Sequence, residues 1–583
     1  MRYKGLWFVS ACLISIIILL SACETKETTT SSASKASLEK PEYGGTLEVS
    51  YGQSIGVFDP VAQGAYMGPV GAMIFEQFLF ADWAKGLAGT GEVTWRPNTE
   101  PVPDTSVGVL IESWEIPESG TFVFKVRRGV YWALNPDNEA SRLVNGREVT
   151  ADDLIASFNY LMNHERSPVK IWRPELATTA TIEKAGPWEV TLKSAGDFLG
   201  TWHWFLCGGF WLYLFPPEVI EKYGNMTNWQ NLVGTGPFIL TKYVNESSAT
   251  LERNPDYWDK DPVGPGKGNQ LPYLDGVKLL GIQDTSSIYA AFRTGKSHIT
   301  VAEPGTGKHI LQDIPDLKYL TSLSEIPPVI MMRSDKTELP YKDKRVRQAL
   351  MMAIDYHSWK EYIYEGEAEI LAFPITSENK QVYVPLEEMS EDVQALYSHN
   401  TDKARQLLAE AGYPEGFDMT MIVINFFGVP DTAAALKDMW AEIGVNMEMQ
   451  VLEPGAFNSI IYSRSYEDTV LVYLPRGAVA YPSCLDLWHF GSTNLGYVKD
   501  PVIDSVSQEI KKHAIVNMPE ADRLYRELVP HIVEQVHYIP LPSHYWYKLW
   551  WPWVKNYYGE PDFRSFMYTW IDQDLQKQIM ESR

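Results

Sequence analysis

The chain has 583 residues, 45% hydrophobic and 21% charged. That composition is ordinary for a globular protein, and the length predicts two or three domains rather than one core. The formal net charge of −24 disfavours nucleic acid and anionic lipid headgroups as partners, and 4 Cys are too few for a disulfide framework.

The chain opens with Arg2 and Lys4, an apolar run from Leu6 to Ala22, and Leu20-Ser21-Ala22-Cys23. Basic residues, an apolar stretch and small residues before a cleavage point mark an export signal. Cys23 at the first mature position resembles a bacterial lipobox, in which the cysteine carries a diacylglycerol. An uncleaved membrane anchor is the other reading, since the run is nearly long enough to span. Both leave the bulk of the chain outside the cytoplasm, and lipid on Cys23 would hold an acidic body at a membrane. Signal removal at residue 22 leaves, besides the lipid-bearing Cys23, only Cys207 and Cys484, which are expected to be buried free thiols. Residues 24–42 are rich in Thr, Ser, Lys and Glu and read as a flexible tether.

Folding is expected from Tyr43 onward, with Thr46 to Tyr51 alternating as a strand. Phe122 to Val126 reads as a second strand. Thr150 is placed to cap a helix that has acids in its first turn and Leu154, Ile155, Phe158 and Leu161 at helical spacing. Further helices are predicted over Arg345 to Asp355, over Thr401 to Ala411 with Gly412 as the stop, and over Ala433 to Ile443. Met421 to Ile424 and Val445 to Val451 read as strands. This alternation predicts an α/β fold. No internal repeat is present, and no later run is apolar for long enough to span a membrane. Most of the 20 Trp and 32 Tyr are expected in the core, including Trp202, Trp204, Trp211, Trp550, Trp551 and Trp553, with a minority lining a pocket.

Catalytic motifs do not hold up. Gly52-Gln53-Ser54-Ile55-Gly56 matches the GxSxG nucleophile elbow, but that chemistry needs a sharp strand-to-helix turn, and Pro60 disfavours helical geometry at Asp59. A secreted serine hydrolase is therefore a third-ranked reading. Gly305-Thr306-Gly307-Lys308-His309 lacks the first glycine and the Ser or Thr of a P-loop and reads as a turn. The 11 His show no metal-ligand spacing. No catalysis, cofactor or metal is expected.

Several segments, in order, resemble the extracellular solute-binding proteins of family 5, the substrate receptors of ABC importers. They are GGTLEVS (44–50), LIESWEIPESGTFVFKVRRGVYW (110–132), NGREVTADDLIASFNYL (145–161), VGTGPFIL (233–240), LERNPDYW (251–258), KRVRQALMMAID (344–355), KARQLLAEAGYPEGFDMT (403–420) and IGVNMEM (443–449). Their residues read as structural: Gly236 as a turn glycine with positive φ, and Trp114, Trp132 and Trp258 as packing. The resemblance implies a two-lobed periplasmic-binding-protein-like fold of class II with an inserted domain. Residues 1–22 are the signal and 23–42 the tether; 43–72, 216–303 and 545–583 form lobe I, 73–215 the insert and 304–544 lobe II. It also implies a monomer that closes on a small oligomeric solute, an oligopeptide or oligosaccharide, and presents it to ABC permease subunits. A sensory receptor for a membrane signalling partner would use the same fold.

Peptide-binding members of the family carry D-Y-x-[DE]-P, whose first Asp meets the ligand's α-ammonium. The matching stretch here is Leu474 to Pro482, with Gly477 or Ala478 at that position and Arg476 beside it. Three segments are expected to line the cleft: Ser54 to Tyr66, Tyr473 to His489 and His544 to Tyr547. Within them Gln63, Tyr66, Arg476, Tyr481, Trp488 and Trp546 are the ligand-binding candidates.

Overall fold

Alternating side chains set the first strand: β1 (Thr46–Tyr51) buries Leu47 and Val49 and turns Thr46 outward. The computed structural model describes residues 39–583 apart from 64–66, 94–102, 119, 195–197, 207–211, 325, 426–427, 474–493, 515 and 561. The signal, Cys23 and most of the tether lie outside the described residues, as do Cys207 and Cys484. Among the described residues no helix is long and apolar enough to cross a membrane. The compact unit that carries the fold is Pro41–Arg583.

An eight-stranded sheet is built around β1. It contains β8 (Phe238–Val244), β9 (Ser248–Arg253), β10 (Gly276–Gly281), β11 (Ile299–Ala302), β12 (Lys318–Leu323) and β19 (Ser543–Trp550), in the order β12-β19-β11-β1-β10-β9-β8. The short β14 (Ala368–Glu369) pairs with the start of β19. β1 runs parallel to β10 and β11, while β19 is antiparallel to both β11 and β12.

The second sheet is β16 (Val445–Leu452), β15 (Phe417–Ile424), β17 (Thr469–Tyr473), β13 (Pro328–Met332) and β18 (Tyr538–Pro540), in that order. β15 is parallel to β16 and β17. β13 reads Pro-Val-Ile-Met-Met and is buried throughout, as a strand covered on both faces must be. A four-stranded antiparallel sheet is formed by β4 (Ile111–Glu118), β5 (Thr121–Val126), β6 (Thr181–Gly186) and β7 (Glu189–Lys193). β2 (Leu79–Ala81) pairs with β3 (Ser106–Gly108), and β20 (Val554–Lys555) with β21 (Trp570–Ile571).

Two hydrophobic cores correspond to the two large sheets. One joins Leu47, Val49, Leu279 and Leu549 to Phe122, Phe158 and Leu192 of the 73–215 segment, so that segment shares the first core. The other gathers Val329, Leu350, Met421, Leu436 and Ile539. The two-lobed α/β architecture thus follows from two apolar nuclei. Strand pairing sets one division differently from the sequence expectation: β12 hydrogen-bonds along β19 in the first sheet, so the chain leaves that sheet after Leu323 rather than at 304.

Local chemistry accounts for most helix ends. The helix Ala151–Asn163 starts where Asp153 accepts from the Thr150 N–H at 2.8 Å, and Arg147 clamps the same carboxylate at 2.5 Å. Thr401–Glu410 is capped by Asn400, and Gly412, at φ 95°, takes the chain out of the helix. Two expectations fail. Gly305 and Gly307 lie in the helix Pro304–Asp313, not in a turn; a Cβ on Gly307 would stand 2.5 Å from Tyr547 Cβ, so glycine lets this helix press onto β19. Gly236 does not need positive φ; a Cβ there would meet the Ile74 carbonyl oxygen at 2.6 Å. Trp202, Trp550, Trp551 and Trp553 are buried, and the rings of Trp551 and Trp553 stack at 4.5 Å. The side chain of Trp204, and Trp211, lie outside the described residues.

Candidate binding cleft

Two short connections join the sheets: residues 324–327, from β12 to β13, and Leu541-Pro542, from β18 to β19. They run side by side. Ser543 Oγ donates to the Ser324 carbonyl at 3.0 Å, the Ser324 N–H to the His544 carbonyl at 2.8 Å, and the Leu541 N–H to the Pro328 carbonyl at 2.9 Å. Two adjacent crossings with little chain between them form a hinge. Register brings the strand ends to it. Tyr473, closing β17, pairs with Pro328, and Ala302, closing β11, pairs with Tyr547 four residues past Ser543. The carboxyl ends of parallel strands from both sheets therefore meet at the hinge, the usual place for a ligand in open α/β sheets.

The first candidate wall is the loop after β1. Glu246 holds it at two points, accepting from Ser54 Oγ at 2.9 Å and from the Ile55 N–H at 3.3 Å. Gln63 closes it: Oε1 accepts from the N–H groups of Phe58 and Asp59, at 2.8 and 2.9 Å, and Nε2 donates to the Gly56 carbonyl. Asp59 is fully buried and accepts four hydrogen bonds, from Val61 N, Ala62 N, Tyr160 Oη and Met226 N. The loop is thus fixed before any ligand arrives. Ser54 Oγ donates to Glu246, a contact that also pins the loop, and no helix follows Ser54 directly as the nucleophile elbow requires.

The second wall is the entry of β19. His544 is only 8% exposed, stacks on Tyr364 at 4.9 Å and meets Trp546 edge-on at 4.6 Å. Burial lowers its pKa to about 4, so the ring is neutral at physiological pH, and its Nε2 has no hydrogen-bond partner among the described residues. Tyr545 Oη and Ser377 Oγ both donate to Glu369 Oε1, each at 2.7 Å. Lys308 lies 3.1 Å from Glu367 and 3.6 Å from Glu365, joining the helix Pro304–Asp313 to the hinge loop.

Glu303 directly follows Ala302, the last residue of β11, which pairs with Tyr547. Its side chain is exposed, yet surrounding protein raises its pKa above the ordinary carboxylate value. Burial raises the hydroxyls of Tyr289, Tyr364 and Tyr473, and the charge on Glu303 adds to each. Tyr289 packs against the first core, and Tyr364 and Tyr473 against the second.

Of the ligand-binding candidates, Trp546 is half-buried at the hinge and Gln63 is engaged with its own loop. Tyr66, Arg476, Tyr481 and Trp488 lie outside the described residues. Sequence reasoning did not single out Glu303 or Tyr364. The pattern available was an acid followed by proline at the end of an apolar strand, Ile299 to Pro304. A separate cavity of about 170 Å³ lies in the first lobe, lined by Glu76, Trp83, Arg127, Trp258, Arg564 and Tyr568. Its groups already bind one another: Trp83 stacks on Tyr568 at 4.3 Å, and Trp258 donates to Glu76 at 3.2 Å.

Residues 105–483 match the family described as bacterial extracellular solute-binding proteins, family 5, middle part. The chain is 23% identical over 576 residues to the oligopeptide-binding protein AppA of Bacillus subtilis, covering 92% of this chain and 93% of that protein. It is 23% identical over 479 residues to the heme-binding protein A of Haemophilus influenzae, covering 78% and 81%. Among solved structures, the Bacillus subtilis AppA complex with a nonapeptide aligns with a TM-score of 0.69 at 19% identity, over 91% of this chain and all of that one. Helicobacter pylori DppA in complex with the peptide STSA aligns at 0.68 and 19% identity, over 91% and 99%.

Proposed function

The chain belongs to the bacterial extracellular solute-binding proteins of family 5, and from that premise we propose that it captures an oligopeptide between its lobes and delivers it to an ABC-importer permease. It binds a solute and is not an enzyme, as its relatives are substrate-binding proteins. The observation that carries the peptide reading is the crevice itself. Strand ends from two sheets meet at a two-stranded hinge and bring Tyr364, Tyr473, Trp546 and the unpaired His544 Nε2 together. Aromatic walls with a few unpaired polar groups suit an extended chain whose side chains vary. The names of AppA and of several putative ABC transporter peptide-binding proteins point the same way.

In this reading the first lobe is the body of the eight-stranded sheet with residues 73–215, and the second lobe the body of the five-stranded sheet. Tyr66, Arg476, Tyr481 and Trp488 remain the proposed ligand contacts. Ligand contact with both lobes favours the closed form, which is what a permease would recognise. Cys23 carries the lipid that keeps the receptor at the membrane.

A thermal-shift scan against a pool of tri- to pentapeptides tests the reading. A ligand at 100 times its Kd adds about 2.7 kcal/mol, readily seen as a raised melting temperature. Absence of any shift with peptides, alongside a shift with an oligosaccharide panel, refutes the peptide assignment and leaves the solute-binding fold intact.

A further inference from the structure

Between Trp359 and Leu371, both in the second core, the chain makes an excursion to the first sheet. Ala368 and Glu369 form β14 there, pairing with His544 and Ser543 of β19, and the Tyr545 N–H donates to the Glu367 carbonyl at 3.0 Å. Residues 365–369 therefore link the two lobes a third time, besides the two short connections. Lys308 sits on the helix Pro304–Asp313, which presses onto Tyr547, and lies 3.1 Å from Glu367 and 3.6 Å from Glu365. The Glu365 carboxylate also rests against Gly305, where a Cβ would stand 2.9 Å from Oε1. Glu365 and Gly366 turn this stretch with φ 52° and 80°, and a left-handed glutamate persists only where its surroundings hold it. At the far end Glu369 Oε1 accepts from Tyr545 Oη of the first sheet and from Ser377 Oγ, two residues past Ile375 of the second core, each at 2.7 Å.

Rotation of the lobes about the two short connections moves the second core against β19. A strap bonded to both must then let go at one end. Its exit, through Leu371 and Phe373, is buried apolar packing. The Lys308 ion pairs at its start are partly exposed, with 31% of the lysine side chain open to solvent. Exposed pairs are weak and screened by salt, so this is the end that opens. We propose that residues 365–369 are a releasable strap, latched by Lys308, that holds the two lobes at the angle seen in this structure and so sets how readily they move. It rests on lobe movement as the working step of the receptor and not on the peptide assignment.

The test uses the full chain without ligand. Lys308→Met keeps the aliphatic stem and removes the charge. Hydrogen exchange of the Tyr545 amide, whose acceptor is the Glu367 carbonyl, is expected to speed up about twofold to fivefold, while that of Leu549, further along β19, stays as in wild type. Small-angle X-ray scattering is expected to show a shifted radius of gyration for the variant, and wild type in about 0.5 M salt is expected to move toward it. Glu365→Gln combined with Glu367→Gln leaves Lys308 in place and is expected to reproduce both effects. Unchanged exchange at Tyr545 in both variants, or faster exchange with an unchanged radius of gyration, overturns the strap. A failed strap leaves the peptide reading standing, and failure of every peptide to bind leaves the strap standing.

Discussion

Replacing Asp59 by alanine removes the acceptor of four hydrogen bonds at the base of the cleft loop: Val61 N at 3.1 Å, Ala62 N at 3.0 Å, Tyr160 Oη at 2.7 Å and Met226 N at 3.0 Å. The first two are the opening donors of the short helix Pro60–Gln63, and losing such a cap costs about 1 kcal/mol. The Met226 N–H is buried and would be left without a partner, at about 1–3 kcal/mol. Tyr160 is only half-buried and regains part of its loss from water. The sum is roughly 2–5 kcal/mol, acting on the piece of structure that ties the β1 loop to the helix Ala151–Asn163. Urea unfolding measures the global loss, and amide hydrogen exchange at Val61, Ala62 and Met226 reads the local opening. Protection at those three amides should fall by at least tenfold, and peptide affinity should fall with it as the loop loosens. A stability loss under 1 kcal/mol with unchanged protection would show that Asp59 does not anchor the loop.

Gly416→Ala is expected to destabilise the second lobe. Gly416 has φ 79°, and a Cβ there would stand 1.9 Å from the Gly444 carbonyl oxygen, where the chain enters β15 beside the entry to β16. Left-handed strain of about 1–2 kcal/mol adds to overpacking of about 1–3 kcal/mol, read as a lowered urea midpoint. Glu76 is buried and accepts from Tyr257 Oη and Trp258 Nε1; burial outweighs those donors and pushes its pKa up to about 7. The unfolded chain gives up that proton first, so this group costs wild type stability as pH rises from 4.5 to 7 and adds no further change above. Between pH 5 and pH 8, wild type should lose roughly 2–3 kcal/mol relative to Glu76→Gln; parallel stability profiles would reject the shift. Cys23→Ser is expected to move the protein from the membrane to the soluble fraction of producing cells, checked by fractionation and by intact mass for the missing lipid. Retention at the membrane would leave the uncleaved anchor as the reading.

Much of this molecule is legible along the chain because the relevant forces are local. Thr150 and Asp153 announce a helix start three residues apart, Asn400 and Gly412 bracket another helix, and the alternation of Thr46 to Tyr51 already distinguishes the inward from the outward face. Such local signals specify an α/β fold, while the solute-binding role came from the ordered segments that resemble the family. Local signals also misled. Gly305 and Gly307 read as a turn by composition, but the buried contact with Tyr547 decides in favour of a helix. Gly236 reads as a positive-φ position, but what it avoids is a clash with Ile74, 162 residues earlier in the chain.

The cleft was only partly legible, because a site between lobes is made of residues that are distant in sequence. The segments Ser54 to Tyr66 and His544 to Tyr547 could be named as candidate lining from their places after a strand and near the hinge return. Gln63, a plausible ligand contact by residue type, turns out to spend its amide on the loop that carries it. Glu303 and Tyr364 carry no motif. Their places come from tertiary contacts: Glu303 directly follows Ala302, which pairs with Tyr547 in β19, and Tyr364 stacks on His544. The sequence by itself determined the family, the fold class and the fact of binding, since those follow from hydrophobic period, capping chemistry and ordered motifs. Only the tertiary structure decided which of the described carboxylates are already partnered, because partnership depends on distances across the fold that no spacing along the chain encodes.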